Sequence, residues 1–129
     1  MKKRLLLLLL SFSFYAPVAM SGPVEQAYQK HQSNIQVRGN GTVIKILSDD
    51  NNGSRHQRFI IKLTSGQTLL IAHNIDIAPR IPSLTKGDRV DFYGEYEWSN
   101  KGGIIHWTHR DPNGKHTNGW LKHRCKTYQ

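Results

Sequence analysis

Apolar residues recur at every second position in short runs after residue 35, and turn-forming residues separate these runs. Such alternation is typical of β-strands that bury one face. The spacers are rich in Gly, Pro, Asn and Asp, as tight turns require. The pattern predicts an all-β domain with five strands, at about Val37–Leu47, Arg55–Leu63, Gln67–Ala72, Arg89–Trp98 and Gly103–His109.

A helical periodicity precedes the strands. Val24, Ala27, Tyr28 and His31 follow one another at helical spacing, and Pro23 suits a first helical turn. We therefore expect a short helix within a lead-in at residues 22–34, packed against the domain.

The first residues have the pattern of a secretory signal peptide. A basic start precedes the leucine run Leu5–Leu10, and small residues such as Ala19 and Ser21 follow. The apolar stretch is shorter than the roughly 20 residues that a membrane-spanning helix needs. We predict a signal peptide at residues 1–21, export to the periplasm or medium of a bacterium, and no transmembrane anchor after cleavage.

Five strands in a chain of this length most economically close into one barrel. Gly39 and Gly41 lie in the middle of the first run, where a long strand must bend to serve both halves. The order of runs and turns over residues 35–109 resembles the OB-fold. Pro79 and Pro82 disfavour the helix that OB-folds carry between strands three and four. We predict a small five-stranded OB-like barrel over residues 35–129, with a short N-terminal helix and a long C-terminal loop.

The C-terminal part of the chain carries a second resemblance. The segment GGIIHWTHRDP (residues 102–112), with His116 and Gly119-Trp120 after it, is similar to a family of short exported bacterial proteins of unknown function. The resemblance implies no activity.

Charge limits the class of ligand without naming it. The chain has 129 residues and a formal charge of +9; losing Lys2, Lys3 and Arg4 with the signal peptide removes three positive charges and leaves +6. A basic exported domain attracts nucleic acid or another polyanion. The alternative is that the charge only keeps the domain soluble. Cys125, the only cysteine, can form no intramolecular disulfide.

A first candidate site comes from the hairpin between the second and third runs. If Ser65-Gly66 is at the centre of the turn, Arg58 faces His73 and basic side chains gather on one face. These strands form part of the ligand face of OB-folds, and exposed aromatic rings beside cations suit single-stranded nucleic acid. The alternative is an ordinary solvated face. The predicted ligand-binding residues are His56, Arg58, Lys62, His73 and Trp107.

A second candidate site comes from the histidines, of which the chain has seven. Imidazole and carboxylate groups suit zinc and similar divalent ions. Side chains alternate along a strand, so His106 and His109 reach one ion only if the strand ends near Thr108. Alternatively, Asp111 begins a type I turn and the histidines bind the loop to the barrel. The predicted metal ligands are His106, His109, Asp111 and His116.

Three functions follow from these features. The first is a binding module for an anionic or extended ligand such as nucleic acid or polysaccharide. This function is favoured, and with it we expect a protein that is not an enzyme. The second is a metal-dependent, nuclease-like hydrolase that uses the C-terminal histidines and Asp111. The third is an envelope protein that binds other proteins through its basic face.

Overall fold

The computed structural model describes residues 22–129 together with Lys3, Leu10 and Ser11. Apart from these three positions, the predicted signal peptide lies outside the described residues. Over residues 22–129, one helix, α1, is followed by seven strands, β1 to β7. In chain order their bounds are Pro23–Gln29, Ile35–Ile46, His56–Lys62, Thr68–Asn74, Arg89–Glu97, Ile104–His106, Trp120–His123 and Lys126–Tyr128. In this part of the chain, no helix has the length and hydropathy needed to cross a membrane.

Strands β1 to β5 form a closed barrel. Their order is β1-β2-β3-β5-β4, and a pairing between β1 and β4 closes the ring. The β3–β5 pair is parallel, whereas the other pairs are antiparallel. This arrangement confirms the predicted all-β fold with an OB-like five-stranded barrel.

Strand β1 serves both halves of the barrel, as its glycines predicted. Residues 35–42 pair with β4, and residues 42–46 pair with β2 across a bulge after Val43. Gly39 leaves room for the Phe92 ring, since a Cβ there would lie 2.7 Å from its Cζ. Gly41 similarly allows close approach to the backbone of Lys62. A missing side chain at both positions therefore lets β1 bend over the core.

The barrel core is made of alternate side chains that point inward. Phe59, Ile71, Phe92, Tyr96 and Ile105 are fully buried. The predicted short helix is present, and Val24 and Ala27 of α1 join this core.

The connection at residues 75–88 contains turns and no helix, as its prolines predicted. Gln57 fixes it to the barrel, because its side-chain amide donates to Ile81 O and accepts from Ile81 N, both at 2.9 Å. The buried Ile81 side chain then covers part of the core.

The predicted register of the β2–β3 hairpin was wrong by one residue. Arg58 pairs with Ala72, and His73 pairs with Gln57. The reason is a three-residue turn closed by Leu63 and Gln67, with Gly66 at a positive φ of 91°. Because a one-residue slip exchanges the faces of a strand, Leu69, Ile71 and His73 point inward and Thr68, Leu70, Ala72 and Asn74 point outward.

The segment after β5 contains a hairpin that the sequence pattern did not predict. β5 ends at His106 because Trp107 takes a left-handed backbone conformation, with φ 55°. A loop at residues 107–119 follows, and then β6 and β7 extend the sheet beyond β4. The hairpin tip holds Arg124 and Cys125, both at positive φ, and the Cys125 thiol is free and exposed.

Candidate functional site

An apolar groove crosses the outer surface of the barrel over β2, β3 and β5. Its floor is a row of aliphatic cross-strand neighbours, Ile60, Leu70 and Ile104. The loop at residues 98–103 forms one wall, and Leu47, where the loop at residues 47–55 begins, lines the other side. The groove has a volume of about 380 Å³, and its lining is Leu47, Ile60, Thr68, Leu70, Ser99–Lys101, Gly103 and Ile104. We call this surface the apolar groove.

Hydrogen bonds to β3 and β4 hold the wall formed by residues 98–103. Thr68 Oγ1 donates to Lys101 O at 2.9 Å. The side chains of Gln67 and Tyr96 both donate to Gly102 O, at 2.8 and 2.9 Å. Gly102 has φ 119°, and a Cβ there would overlap the carbonyl oxygen of Thr68. This wall is therefore fixed in position by the barrel beneath it.

The opposite side is lined by Leu47, and the loop that follows it, residues 48–55, is held by β2 and by the connection at residues 75–88. Arg58 Nε donates to Ser48 O at 3.1 Å, and Asp50 and His56 exchange two backbone hydrogen bonds. Asp49 forms an ion pair with Arg80. Both sides are thus braced, and the apolar groove is preformed.

Cations border the apolar groove on several sides. Lys45 is the cross-strand neighbour of Ile60, and Lys62 is the neighbour of Thr68. Lys101 lines one wall. Within residues 22–129, neither these lysines nor Arg58 form an ion pair with a carboxylate. Glu97 lies at the opposite end of the row, beside Ile104.

The aspartates have their partners elsewhere in the fold. Each of them accepts hydrogen bonds or forms ion pairs. Their partners are Arg80 for Asp49, the backbone of Asn52 for Asp50, Arg55 for Asp76, His123 for Asp88, Arg89 for Asp91, and the backbone of residues 113–116 for Asp111.

The structure divides the predicted ligand-binding residues among three places, and His56 and Trp107 line one cavity of about 290 Å³ with His106 and His109. Arg58 and Lys62 lie on the outer face of β2 and border the apolar groove. His56 is on the same face, but its Nδ1 donates to Ser54 O at 2.8 Å. Trp107 lies outside the groove, after β5. His73 is fully buried on the inner face, because of the register correction above. Leu70 was predicted in the core by the same register, so the groove floor was missed.

His73 joins three parts of the fold from inside the barrel. Its Nε2 donates to Pro79 O at 2.9 Å, since a carbonyl oxygen can only accept. Its Nδ1 therefore accepts from the Thr108 hydroxyl at 2.7 Å. Burial lowers the pKa of His73 to about 4, so the ring is neutral in the folded protein at neutral pH.

A second region lies on β4, β5 and the loop at residues 107–119. The left-handed Trp107 brings this loop close to β4, where glycines leave room for it. A Cβ on Gly94 would lie 2.6 Å from His106 O, and one on Gly119 would overlap Trp107 O. The Trp107 ring stacks on His116, with centroids 3.9 Å apart. Glu95, His106, Trp107 and His116 form what we call the histidine cluster.

Glu95 is at the centre of the histidine cluster. Its Oε2 lies 3.4 Å from His106 Nε2 and 3.6 Å from His116 Nε2. His116 Nδ1 donates to Thr117 O, so Nε2 is the ring nitrogen that faces the carboxylate. The cluster joins the loop to β4 through the contacts of Glu95 with the two imidazole rings.

The other two predicted metal ligands do not join Glu95. His109 is buried and its Nδ1 donates to Arg110 O at 2.7 Å. The Asp111 carboxylate accepts from the backbone N–H groups of Asn113, Lys115 and His116, which lowers its pKa. Across residues 22–129, no group of three or more His, Cys, Asp or Glu side chains has the geometry to hold a metal ion.

The described aromatic rings lie in the core or against neighbouring side chains. Trp98 stacks on His31, with centroids 4.2 Å apart. Trp120 lies 6.1 Å from Tyr93, and the Arg38 guanidinium covers both rings at 5.2 to 5.4 Å. In the described chain, no aromatic ring lines the apolar groove.

Comparison with known proteins gives a family but no activity. A family model described as "Protein of unknown function (DUF3465)" matches residues 6–129. The chain belongs to the DUF3465 family. This confirms the resemblance carried by the C-terminal segment of this DUF3465 protein. No curated protein matches its sequence.

Proposed function

We propose that this DUF3465 protein is a binding module that holds an anionic, extended ligand in the apolar groove. The observation that supports this most is the groove itself, which is aliphatic, preformed and bordered by cations without carboxylate partners. Binding sites for small ligands are concave, mostly apolar and largely preformed. A volume of about 380 Å³ lies in the usual range for such sites.

The rigidity of the walls favours binding. A groove that is already ordered loses little conformational entropy when a ligand enters. The hydrogen bonds of Thr68, Gln67 and Arg58 order the walls before any ligand is present.

The positive charge of the lysines beside the groove favours a negatively charged ligand. Among the described residues, these lysines form no ion pair with a carboxylate and attract an anion, while Glu97 lies at the far end of the row, beside Ile104. The proposal includes export through the predicted signal peptide, to the periplasm or the medium.

The hydrolase is a weaker candidate. One observation favours it, the convergence of His106 and His116 on Glu95. Asp111, however, caps its own loop, and the hydrogen bond of His109 holds that ring against its own strand end.

The test is binding of three labelled anionic probes at low and high salt. The probes are a single-stranded oligonucleotide, an acidic oligosaccharide and decanoate. We expect at least one to bind, more weakly at high salt, and about tenfold more weakly to the Lys62→Gln/Lys101→Gln variant because each lysine loses a charge contact.

A matched control removes two exposed lysines away from the groove. Lys86→Gln/Lys115→Gln has the same net charge as the groove variant and should bind like the parent protein. If no probe binds, or if the control loses as much affinity as the groove variant, the proposed function is wrong.

A further inference from the structure

We infer that the ligand of the apolar groove is a monomeric, single-chain amphiphile with an anionic head, such as a fatty acid. This inference rests on the proposed function and names its ligand class. It follows from three features of the groove: the chemistry of its lining, the position of the aromatic rings, and its recessed shape.

The floor of the groove is aliphatic across three strands. Ile60, Leu70 and Ile104 form one continuous row, and Leu47 extends it onto a wall. These side chains are only partly buried by the protein. An acyl chain laid along the row would remove this apolar surface from water, which favours binding.

The aromatic rings argue against nucleic acid in this groove. Proteins that bind single strands stack the bases on exposed aromatic side chains. Here Trp107 is stacked on His116, Trp98 on His31, and Trp120 lies under Arg38. The groove offers a flexible aliphatic chain good contacts and offers a base no ring on which to stack.

The shape of the groove favours a monomer over a membrane surface. Its apolar row lies beside the wall at residues 98–103, which contributes the polar Ser99 and Asn100 to the lining, and Leu47 lies on the other side. A protein that enters a bilayer needs apolar side chains that project outward. A recessed apolar row can instead be reached by the acyl chain of a single amphiphile that has left the bilayer or micelle.

The lysines beside the groove provide a position for the anionic head group. Lys101 lines the groove, Lys62 flanks the row on one side, and Lys45 continues it beyond Ile60. Glu97 lies at the other end, beside Ile104, so the head belongs at the lysine side. A carboxylate or phosphate head at the rim would meet unpaired ammonium groups while its chain occupies the row. The lysines therefore complement the anionic head of an amphiphile, and the aliphatic row complements its acyl chain.

The test compares decanoate, below its micelle concentration, with neutral decanol by calorimetry. We expect decanoate to bind more tightly than decanol, and salt to weaken only decanoate. In the Ile60→Thr/Ile104→Thr variant, decanoate affinity should fall by about tenfold or more, because each substitution replaces apolar surface with a hydroxyl.

The control variant is Ile46→Thr/Ile77→Thr. These isoleucines are 48% and 44% exposed and do not line the groove, so decanoate should bind this variant as it binds the parent. Thermal melts of both variants establish that each is folded before the affinities are compared.

The outcomes separate this inference from the proposed function. If the oligonucleotide or the acidic oligosaccharide binds through Lys62 and Lys101 while decanoate does not, the amphiphile is wrong and the binding module stands. Binding only to anionic vesicles, or equal affinity for decanol and decanoate, would also overturn the inference. If no probe binds, both proposals fail.

Discussion

The apolar groove and the histidine cluster are neighbours on the outer surface of the barrel, yet their polar groups are arranged in opposite ways. Ile104 lies in the groove and His106 in the cluster, two residues apart on β5. The polar groups of the cluster contact one another, since Glu95 contacts two histidines and Trp107 stacks on one of them. The groove leaves its lysines unpaired.

This difference indicates which region binds a ligand. Groups that already satisfy one another gain little when a ligand arrives, because an existing interaction must be replaced. Unpaired cations beside exposed aliphatic side chains gain both charge contact and apolar burial. The histidine cluster therefore stabilises the loop at residues 107–119, and the groove remains open for a ligand.

The largest expected effect is on the loop that carries the cluster. Gly119→Ala places a Cβ 2.5 Å from Tyr93 O and in overlap with Trp107 O. Because both contacts are with backbone, we expect the free energy of unfolding to fall by about 3 kcal/mol in urea denaturation.

Gly114→Ala is the matched control in the same loop. Gly114 has φ 65°, but a Cβ there meets nothing within 4 Å. Its cost should be about 1 kcal/mol, from backbone strain alone. Equal losses in the two variants would show that the close contact at Gly119 does not hold the loop.

The next effect concerns His73, which is buried beneath both regions. Its pKa is about 4 in the folded protein and 6.5 ordinarily, so below 6.5 the unfolded chain binds one more proton. Stability from this group is complete above pH 6.5 and is lost as the pH falls toward 4. Between pH 6.5 and about pH 5 the loss should be roughly 2 kcal/mol.

His73→Gln keeps a donor and an acceptor but does not titrate. Urea denaturation across this pH range should give a flatter dependence for the variant than for the parent. His31→Gln, at the exposed ring stacked on Trp98, serves as the control and should keep the parent's slope. An unchanged slope in His73→Gln would contradict the assignment.

The smallest effect compares the two regions directly. Glu95→Gln removes the charge that both cluster histidines contact, and we expect a loss of about 1 kcal/mol in unfolding free energy. Lys62→Gln removes a groove charge that has no carboxylate partner, so stability should change by less than about 0.5 kcal/mol. A larger loss in Lys62→Gln than in Glu95→Gln would reverse the distinction between a bracing cluster and an open groove.

Much of the fold was predictable because local patterns determine it. The alternation in β2 correctly placed Phe59 inside and Lys62 outside, and Gly39 and Gly41 marked the bend in β1. The register of β3 was not predictable from alternation, since Leu69, Leu70 and Ile71 are apolar in succession. The three-residue turn between β2 and β3 sets the register and thereby determines which side chains of β3 point into the core.

The candidate sites were less predictable because they combine distant segments. His106 and His116 were candidates for one metal site without a prediction that they converge, and their partner Glu95 belongs to another strand. The groove floor was missed because the wrong register placed Leu70 in the core. The β6–β7 hairpin has short, polar strands and no glycine at its tip, so neither periodicity nor turn chemistry indicated it.

Amide NMR chemical-shift mapping with decanoate tests most directly whether the groove is the binding region, because it reports both regions in one titration. We expect saturable shifts at Leu47, Ile60, Leu70 and Ile104. Shifts concentrated instead at Glu95 and its loop, with the groove unchanged, would contradict the proposed binding site.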